Sequence, residues 1–395
     1  MIVIEPRIRN NLCITAHPQG CAAQVRAQIR YVQSRGALDG PRRVLVIGAS
    51  NGYGLAARIV SAFASGAATV GVAYERPGTA HRTATAGWYN SAAFEQEAER
   101  AGLGAWSING DAFSEEVKGQ TIEKIRSAVG AVDMVVYSIA APRRIDPVTG
   151  EIYASVIKPI GRPFTARSID FLTGRITAMT APPATREEVA HTVKVMGGED
   201  WELWIRRLTQ AKVLAPGALT IALSYIGPDL TRAIYRDGTI GRAKAHLEAA
   251  ADRLDALLKD SGGRALISVN KALVTRASAV IPGVSLYIAL LYKAMKDRGL
   301  HEGCIQQMDR LYRDVLFSGR QIPLDHRGRM RLDDREMRPD VQAAVAGSWE
   351  KVTDENLSRY ADLKGFREEF LRHHGFGMPG IDYSKPVDPA EIQIP

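Results

Sequence analysis

The sequence predicts an α/β fold: a Rossmann-type doubly wound parallel sheet with an N-terminal extension, an inserted segment over one edge and C-terminal helices. Three observations predict it. Short aliphatic runs of strand length alternate with Ala-rich segments of helical periodicity. A glycine-rich turn joins the first of these strands to its helix, and the second strand ends on an acidic residue.

Val44 to Ile47 reads as the first sheet strand, and Gly48, Gly52 and Gly54 follow at G-x3-G-x-G spacing before an Ala-rich helix. Residues without a Cβ let backbone N–H groups and the positive end of the helix approach a pyrophosphate. Glycines that merely make a tight turn would look the same. The next strand, Ala67 to Tyr74, ends at Glu75, 21 residues past Gly54. An acidic residue there accepts hydrogen bonds from adenosine ribose hydroxyls and repels a 2′-phosphate, which points to NADH over NADPH. The plain alternative is a solvated strand-end glutamate.

A chain of 395 residues with 46% hydrophobic content can bury a large core. The division predicted is one elaborated Rossmann domain over 1–395, with an extension at 1–42, an inserted substrate-covering segment at 143–198 and a helical cap at 300–395. The formal charge of +8 is spread over 51 Lys+Arg and 43 Asp+Glu with no basic run, which argues against nucleic acid as partner. Cys13, Cys21 and Cys304 form no C-x-x-C pair, and the eight histidines make no ligand cluster, so no metal is expected. A serine nucleophile elbow is also missing. Without a secretory leader or an apolar run of membrane-spanning length, the expectation is a cytoplasmic protein with no membrane partner.

In chain order, a short strand at Met1 to Ile4 and a helix from about Cys21 to Gln33 precede the glycine turn. Beyond Glu75, a helix at Ser91 to Ala101 leads to a strand near Ala105 to Ile108. Asp111 follows at its carboxyl end, where an adenine edge would lie; its plain reading is the N-cap of a helix from Ser114 to Val129. Val132 to Tyr137 is the next buried strand, closed by small residues at Ser138 to Ala141. Prolines interrupt the pattern from Arg143 to about Gly198. A helix at Glu199 to Ala211 then runs into the strand Ala218 to Leu223.

Past Leu223 come Tyr225, Tyr235 and Lys244, at the start of an Ala-rich helix running to about Leu258. Tyr235 and Lys244 are nine positions apart, and nine steps of 100° put side chains on opposite helix faces. They converge only if Tyr235 precedes the regular helix, and Asp237-Gly238-Thr239 supplies the break. After the last core strand, Ala265 to Val269, the loop from Asn270 to Gly283 can reach a nicotinamide. Ser285 to Met295 is apolar all round and reads as core. Helices near His301 to Leu316, Arg335 to Lys351 and Asp354 to His374 complete the chain.

With Gly48-Ala-Ser-Asn-Gly-Tyr-Gly54, Glu75, Asp111-Ala112, and Tyr235-x8-Lys244 followed by Leu273-Val-Thr275 in one order, the chain resembles the FabV class of trans-2-enoyl-acyl carrier protein reductases, close kin of trans-2-enoyl-CoA reductases. The likeness extends over essentially the whole length. It implies a monomeric enzyme of fatty-acid elongation that uses NADH to reduce trans-2-enoyl thioesters of acyl carrier protein or CoA. It implies cofactor contacts at Gly48, Ala49, Ser50, Asn51, Gly52, Tyr53, Tyr74, Glu75, Asp111, Ala112, Ile139, Ala140, Lys244, Leu273, Val274 and Thr275. Tyr235 becomes the proton donor and Tyr225 a thioester contact by the same likeness. Asn51 stands where the family more often has a small hydroxyl residue.

The chemistry supports those roles. Hydride addition to the β-carbon leaves negative charge on the thioester oxygen, and a hydroxyl donor aimed at it is typically worth about 3 to 4 kcal/mol. Lys244 is expected to fix the nicotinamide ribose and to lower the phenol's pKa from about 10. Two other readings compete: a Rossmann carbonyl reductase acting on 3-oxoacyl thioesters, and an NADH-binding regulator without turnover.

Overall fold

The computed structural model describes residues 1–9, 12–170, 172–274 and 283–392. At the N-terminus, β1 (Ile8–Arg9) and β2 (Leu12–Cys13) make a small antiparallel pair. The strand expected at Met1 to Ile4 reduces to one bridge, Ile2 with Val387. Helix α1 (Pro18–Ser34) starts three residues earlier than its periodicity suggests, because Pro18 fits the first turn and the His17 ring caps Gly20 N–H.

The glycine turn lies between β3 (Arg43–Ile47) and α2 (Gly52–Ser65). There follow β4 (Ala68–Ala73), α3 (Ala86–Arg100), β5 (Ala105–Asn109), α4 (Glu115–Ala128) and β6 (Val132–Tyr137). The proline-interrupted insertion is ordered by two hairpins, β7 (Arg143–Ile145) with β8 (Ile152–Ala154) and β9 (Phe164–Asp170) with β10 (Arg175–Ala181). It closes with α5 (Arg186–Met196), whose start carries a Thr185/Glu188 capping box. Then come α6 (Glu199–Gln210), β11 (Leu214–Ser224), α7 (Thr239–Leu258) and β12 (Arg264–Val269).

The sheet does not end at β12. A seventh strand, β13 (Arg329–Arg331), pairs in parallel with it, so the C-terminal part supplies an edge strand as well as helices. The strand order is β13-β12-β11-β6-β3-β4-β5, every pairing parallel. The order reverses at β3, which lies between β4 and β6. That is the switch point where such sheets leave a crevice for a ligand. Helices α1 and α2 pack with Met330 and Leu332 on one face; α4, α6 and α7 cover the other with Trp201 and Trp204 fully buried.

Around the sheet's β12 side, α8 (Val284–Lys296) is buried on all faces, as expected of core. Helix α9 (Cys304–Arg310) widens into a π-helical turn, Leu311–Leu316. The helix expected from Arg335 begins only at Pro339, as α10 (Pro339–Lys351), since a proline holds the residue before it extended. The helix expected from Asp354 to His374 is two pieces, α11 (Leu357–Tyr360) and α12 (Leu363–Arg372). Asp362 breaks it, because its N–H bonds Ala289 and its carboxylate caps Gly365.

Candidate active site

The nucleotide end is built on closeness. Gly48 takes φ +90°, and a Cβ there would meet the Ser138 carbonyl at 2.3 Å. At Gly54 a Cβ would lie 1.9 Å from the Gly48 carbonyl. Both glycines are required, and together they press the turn, the start of α2 and the end of β6 into one layer. The Asn51 side chain makes no cap bond, so it does not compete for the N–H groups at the start of α2. A pyrophosphate fits there.

Glu75 lies two residues past the end of β4 and is 6% exposed. Its Oε1 accepts from Ser50 Oγ at 2.7 Å and from Asn51 Nδ2 at 3.2 Å. Asn51 therefore keeps a polar role. Its own Oδ1 accepts from Asn90 Nδ2 at 2.9 Å, and Asn90 also donates to the Ser50 carbonyl at 3.0 Å. Asn109 holds the Glu75 main chain from the next strand, giving Nδ2 to its carbonyl and accepting its N–H. Gly87 makes room: a Cβ there would meet Glu75 Oε1 at 2.2 Å. Tyr74 beside it is 77% exposed, an open ring at the rim.

Asp111 is not the cap of α4. Ser114 caps that helix, accepting from Val117 N–H, while Asp111 Oδ1 takes the Phe113 N–H in a tight turn. The carbonyl of Ala112 accepts from buried Lys118 Nζ at 3.1 Å and from Trp204 Nε1 at 3.0 Å. Lys118 in turn pairs with buried Asp200 at 2.9 Å. Ile139 and Ala140 follow β6 at the switch point, with Ser138 N–H bonded to Ile47 at 2.8 Å.

The candidate catalytic residues lie beyond β11. Tyr235 does precede the regular helix, and Gly238 is the residue that caps α7. Gly241 N–H bonds the Tyr235 carbonyl at 2.9 Å, and a Cβ on Gly241 would strike the Arg236 carbonyl at 1.7 Å. The chain folds back tightly there. As a result Tyr235 and Lys244 line one cavity of about 320 Å³ together with Tyr225. Burial lowers the Lys244 ammonium to about 8, with Glu248 opposing the shift. The Tyr235 phenol moves upward instead of down: burial raises it, and the Glu336 charge adds to that. The expected lowering by Lys244 is not what its surroundings produce.

Glu336 is the residue the sequence did not flag. Fully buried, it accepts from Tyr225 Oη at 3.2 Å, Tyr287 Oη at 2.7 Å and Ala272 N–H at 2.7 Å. It ties the cavity to the loop after β12. That loop is held further by Tyr53 Oη on the Lys271 carbonyl at 2.8 Å and by Val274 N–H on Tyr292 Oη at 3.0 Å. His373 Nε2 lies 2.7 Å from the Val274 carbonyl. Leu273 and Val274 are buried in it; Thr275 lies outside the described residues. No three His, Cys, Asp or Glu among the described residues are placed to hold a metal. None of their helices is long and apolar enough to cross a membrane.

A parallel sheet in this order, with a glycine-pressed turn at its switch point and a buried glutamate ending the second strand, defines a Rossmann-type nicotinamide-dependent oxidoreductase. Family models match 82–317 as the trans-2-enoyl-CoA reductase catalytic region and 3–80 as the NAD(P)H binding domain of trans-2-enoyl-CoA reductase. The chain belongs to the trans-2-enoyl-CoA reductase family, and is an NADH-dependent trans-2-enoyl reductase. It is 55% identical to an NADH enoyl-[acyl-carrier-protein] reductase of Flavobacterium johnsoniae, over 97% of this chain and 96% of that one. A reductase of the same name from Opitutus terrae is 55% identical over 98% and 99%. The crystal structure of Treponema denticola trans-2-enoyl-CoA reductase with NAD superposes with a TM-score of 0.95 at 49% identity, covering 98% of each chain.

A third family model, enoyl reductase FAD binding domain, matches 324–387. The residues there do not fit a flavin dinucleotide. Its two longer helices begin with their own carboxylates, Asp340 in the first turn of α10 and Asp362 capping α12, which would repel a pyrophosphate. Of its arginines, Arg329, Arg331 and Arg338 are paired to Asp325, Asp333 and Asp340. Val341, Val345, Phe366 and Phe370 fill the space against α8.

Proposed function

We propose that Tyr235, Lys244 and Tyr225 carry the reduction of the C2=C3 bond of trans-2-enoyl thioesters delivered on acyl carrier protein or CoA. NADH, when bound, supplies hydride to the β-carbon. Tyr235 donates a hydrogen bond to the thioester oxygen as charge develops there and helps deliver the proton to the α-carbon. A phenol whose pKa is raised by burial stays protonated at neutral pH and so holds the proton it has to give. Lys244, charged below about 8, holds the nicotinamide ribose, and Tyr225 meets the thioester. Gly48 to Tyr53 take the pyrophosphate, and Glu75 with Tyr74 the adenosine. Asp111 and Ala112 border the adenine, while Ile139, Ala140 and the 273–275 loop border the nicotinamide. Residues 1–395 act as one elaborated Rossmann domain, with 143–198 covering the substrate, and the enzyme works as a cytoplasmic monomer.

The observation that carries this reading is the shared cavity: two phenols and an ammonium line it although nine positions separate Tyr235 from Lys244. Incubation of NADH with crotonyl-CoA and, separately, with acetoacetyl-CoA tests it. NADH is consumed with the first only. Consumption with the second alone would make the enzyme a carbonyl reductase.

A further inference from the structure

The cavity that holds Tyr235 opens along α7 between two kinds of arginine. Arg327 and Arg329 are spent on one carboxylate, each 2.9 Å from Glu248. Asp237, the other acid of the lining, is taken by Arg232 at 2.9 Å. Arg236 and Arg242 are different. Both line the cavity, both are exposed, and among the described residues neither guanidinium has a hydrogen bond or ion pair.

Their position is fixed to the reacting phenol. Arg236 follows Tyr235 directly and Arg242 follows Gly241, whose N–H bonds the Tyr235 carbonyl and whose missing Cβ admits the Arg236 carbonyl. Two unpaired like charges on one short fold-back repel each other, so the mouth is best satisfied by an anion. Guanidinium forks match phosphate oxygens in pairs. The acyl chain of an enoyl thioester is uncharged; its carrier arm is not. We propose that Arg236 and Arg242 form an anion-binding rim that receives a phosphate of the substrate's carrier, orienting the thioester toward Tyr235.

The inference rests on the thioester reading above. Two sources offer that phosphate: the phosphopantetheine arm, common to carrier protein and CoA, and the nucleotide phosphates of CoA alone. The crotonyl thioesters of N-acetylcysteamine, 4′-phosphopantetheine and CoA separate them, assayed with the wild type and with Arg236→Gln/Arg242→Gln. The wild type has a lower KM for the phosphate-bearing substrates than for the N-acetylcysteamine thioester, and the double variant reduces that advantage about tenfold. An advantage reduced for 4′-phosphopantetheine and CoA alike assigns the arm phosphate; one reduced for CoA alone assigns the nucleotide. Equal change for all three substrates, or no change for any, overturns the rim. Calorimetric titration with CoA itself separates this failure from failure of the activity. A Kd about tenfold weaker in the variant supports the rim even if no enoyl thioester is reduced, and an unchanged Kd removes it even if reduction is normal.

Discussion

The rings of Tyr225 and Tyr235 meet edge to face, centroids 4.8 Å apart and planes at 74°. Ten positions of chain separate them, yet each fixes the other's tilt, and Glu336 anchors the outer one through its hydroxyl. Removing the Tyr235 hydroxyl leaves this packing intact. Tyr235→Phe is therefore expected to fold normally, bind NADH with unchanged Kd in a fluorescence titration, and lose about a hundredfold in kcat on crotonyl-CoA. Near-normal turnover would take the phenol out of the mechanism.

Lys244 is expected to set an alkaline limit on activity. Its folded value of about 8 lies below the ordinary 10.5, so it is charged below about 8 and neutral above. In kcat/KM for NADH, which reports the free enzyme, activity falls as pH rises through about 8. Lys244→Met flattens that limb at a low level. The stability sign is the reverse: between those two values the unfolded chain holds the proton and the folded one does not, so deprotonation removes a penalty and stability gains as pH rises. A pH profile without a limb near 8 would remove Lys244 from the cofactor.

Glu75 is expected to carry the choice of nucleotide. With Ser50 and Asn51 already donating to its Oε1, the carboxylate is held in place ahead of any ribose. Glu75→Ala is expected to lower the NADH to NADPH ratio of kcat/KM about tenfold or more, mainly through the KM for NADH. An unchanged ratio would place the discrimination elsewhere.

Glu336 serves three donors at once, two phenols and the Ala272 N–H. Glu336→Gln keeps the volume but turns one acceptor into an NH2 group that faces a donor. The expected loss is about 1 to 3 kcal/mol of stability by denaturant titration, with a raised KM for crotonyl-CoA. If the variant matched wild type in both, the carboxylate would be dispensable to the loop and to Tyr225.

Much of this was legible in the residues alone. The strand Val132–Tyr137 agrees end to end, because a buried parallel strand is a bare aliphatic run. The break ahead of α7 followed from helix geometry applied to a spacing of nine. What escaped lacks a periodic signature. β13 is Arg-Met-Arg, its first arginine masked by Asp325 and Glu248 rather than by apolar neighbours. In the hairpins at 143–181 prolines fall between the strands, and among the described residues each strand pairs only within its own hairpin, β7 with β8 and β9 with β10. Glu336 lies in a charged stretch where nothing in the order of residues tells a buried carboxylate from a solvated one. Asn90, on α3, matters through its grip on Ser50 and Asn51, and Asn109, on β5, through its grip on Glu75, relations no window along the chain contains.

The sheet runs straight through the place where the two main family models meet. β3 and β4 belong to the first, yet their neighbours β6 and β5 belong to the second. The nucleotide-binding part is thus not a cartridge: cut out near residue 81, it would carry two hydrophobic strands with both outer margins bare, and the remainder would have a gap where its centre was. Coenzyme choice in this chain has to be re-engineered in place, one side chain at a time, rather than by transplanting that part from a relative.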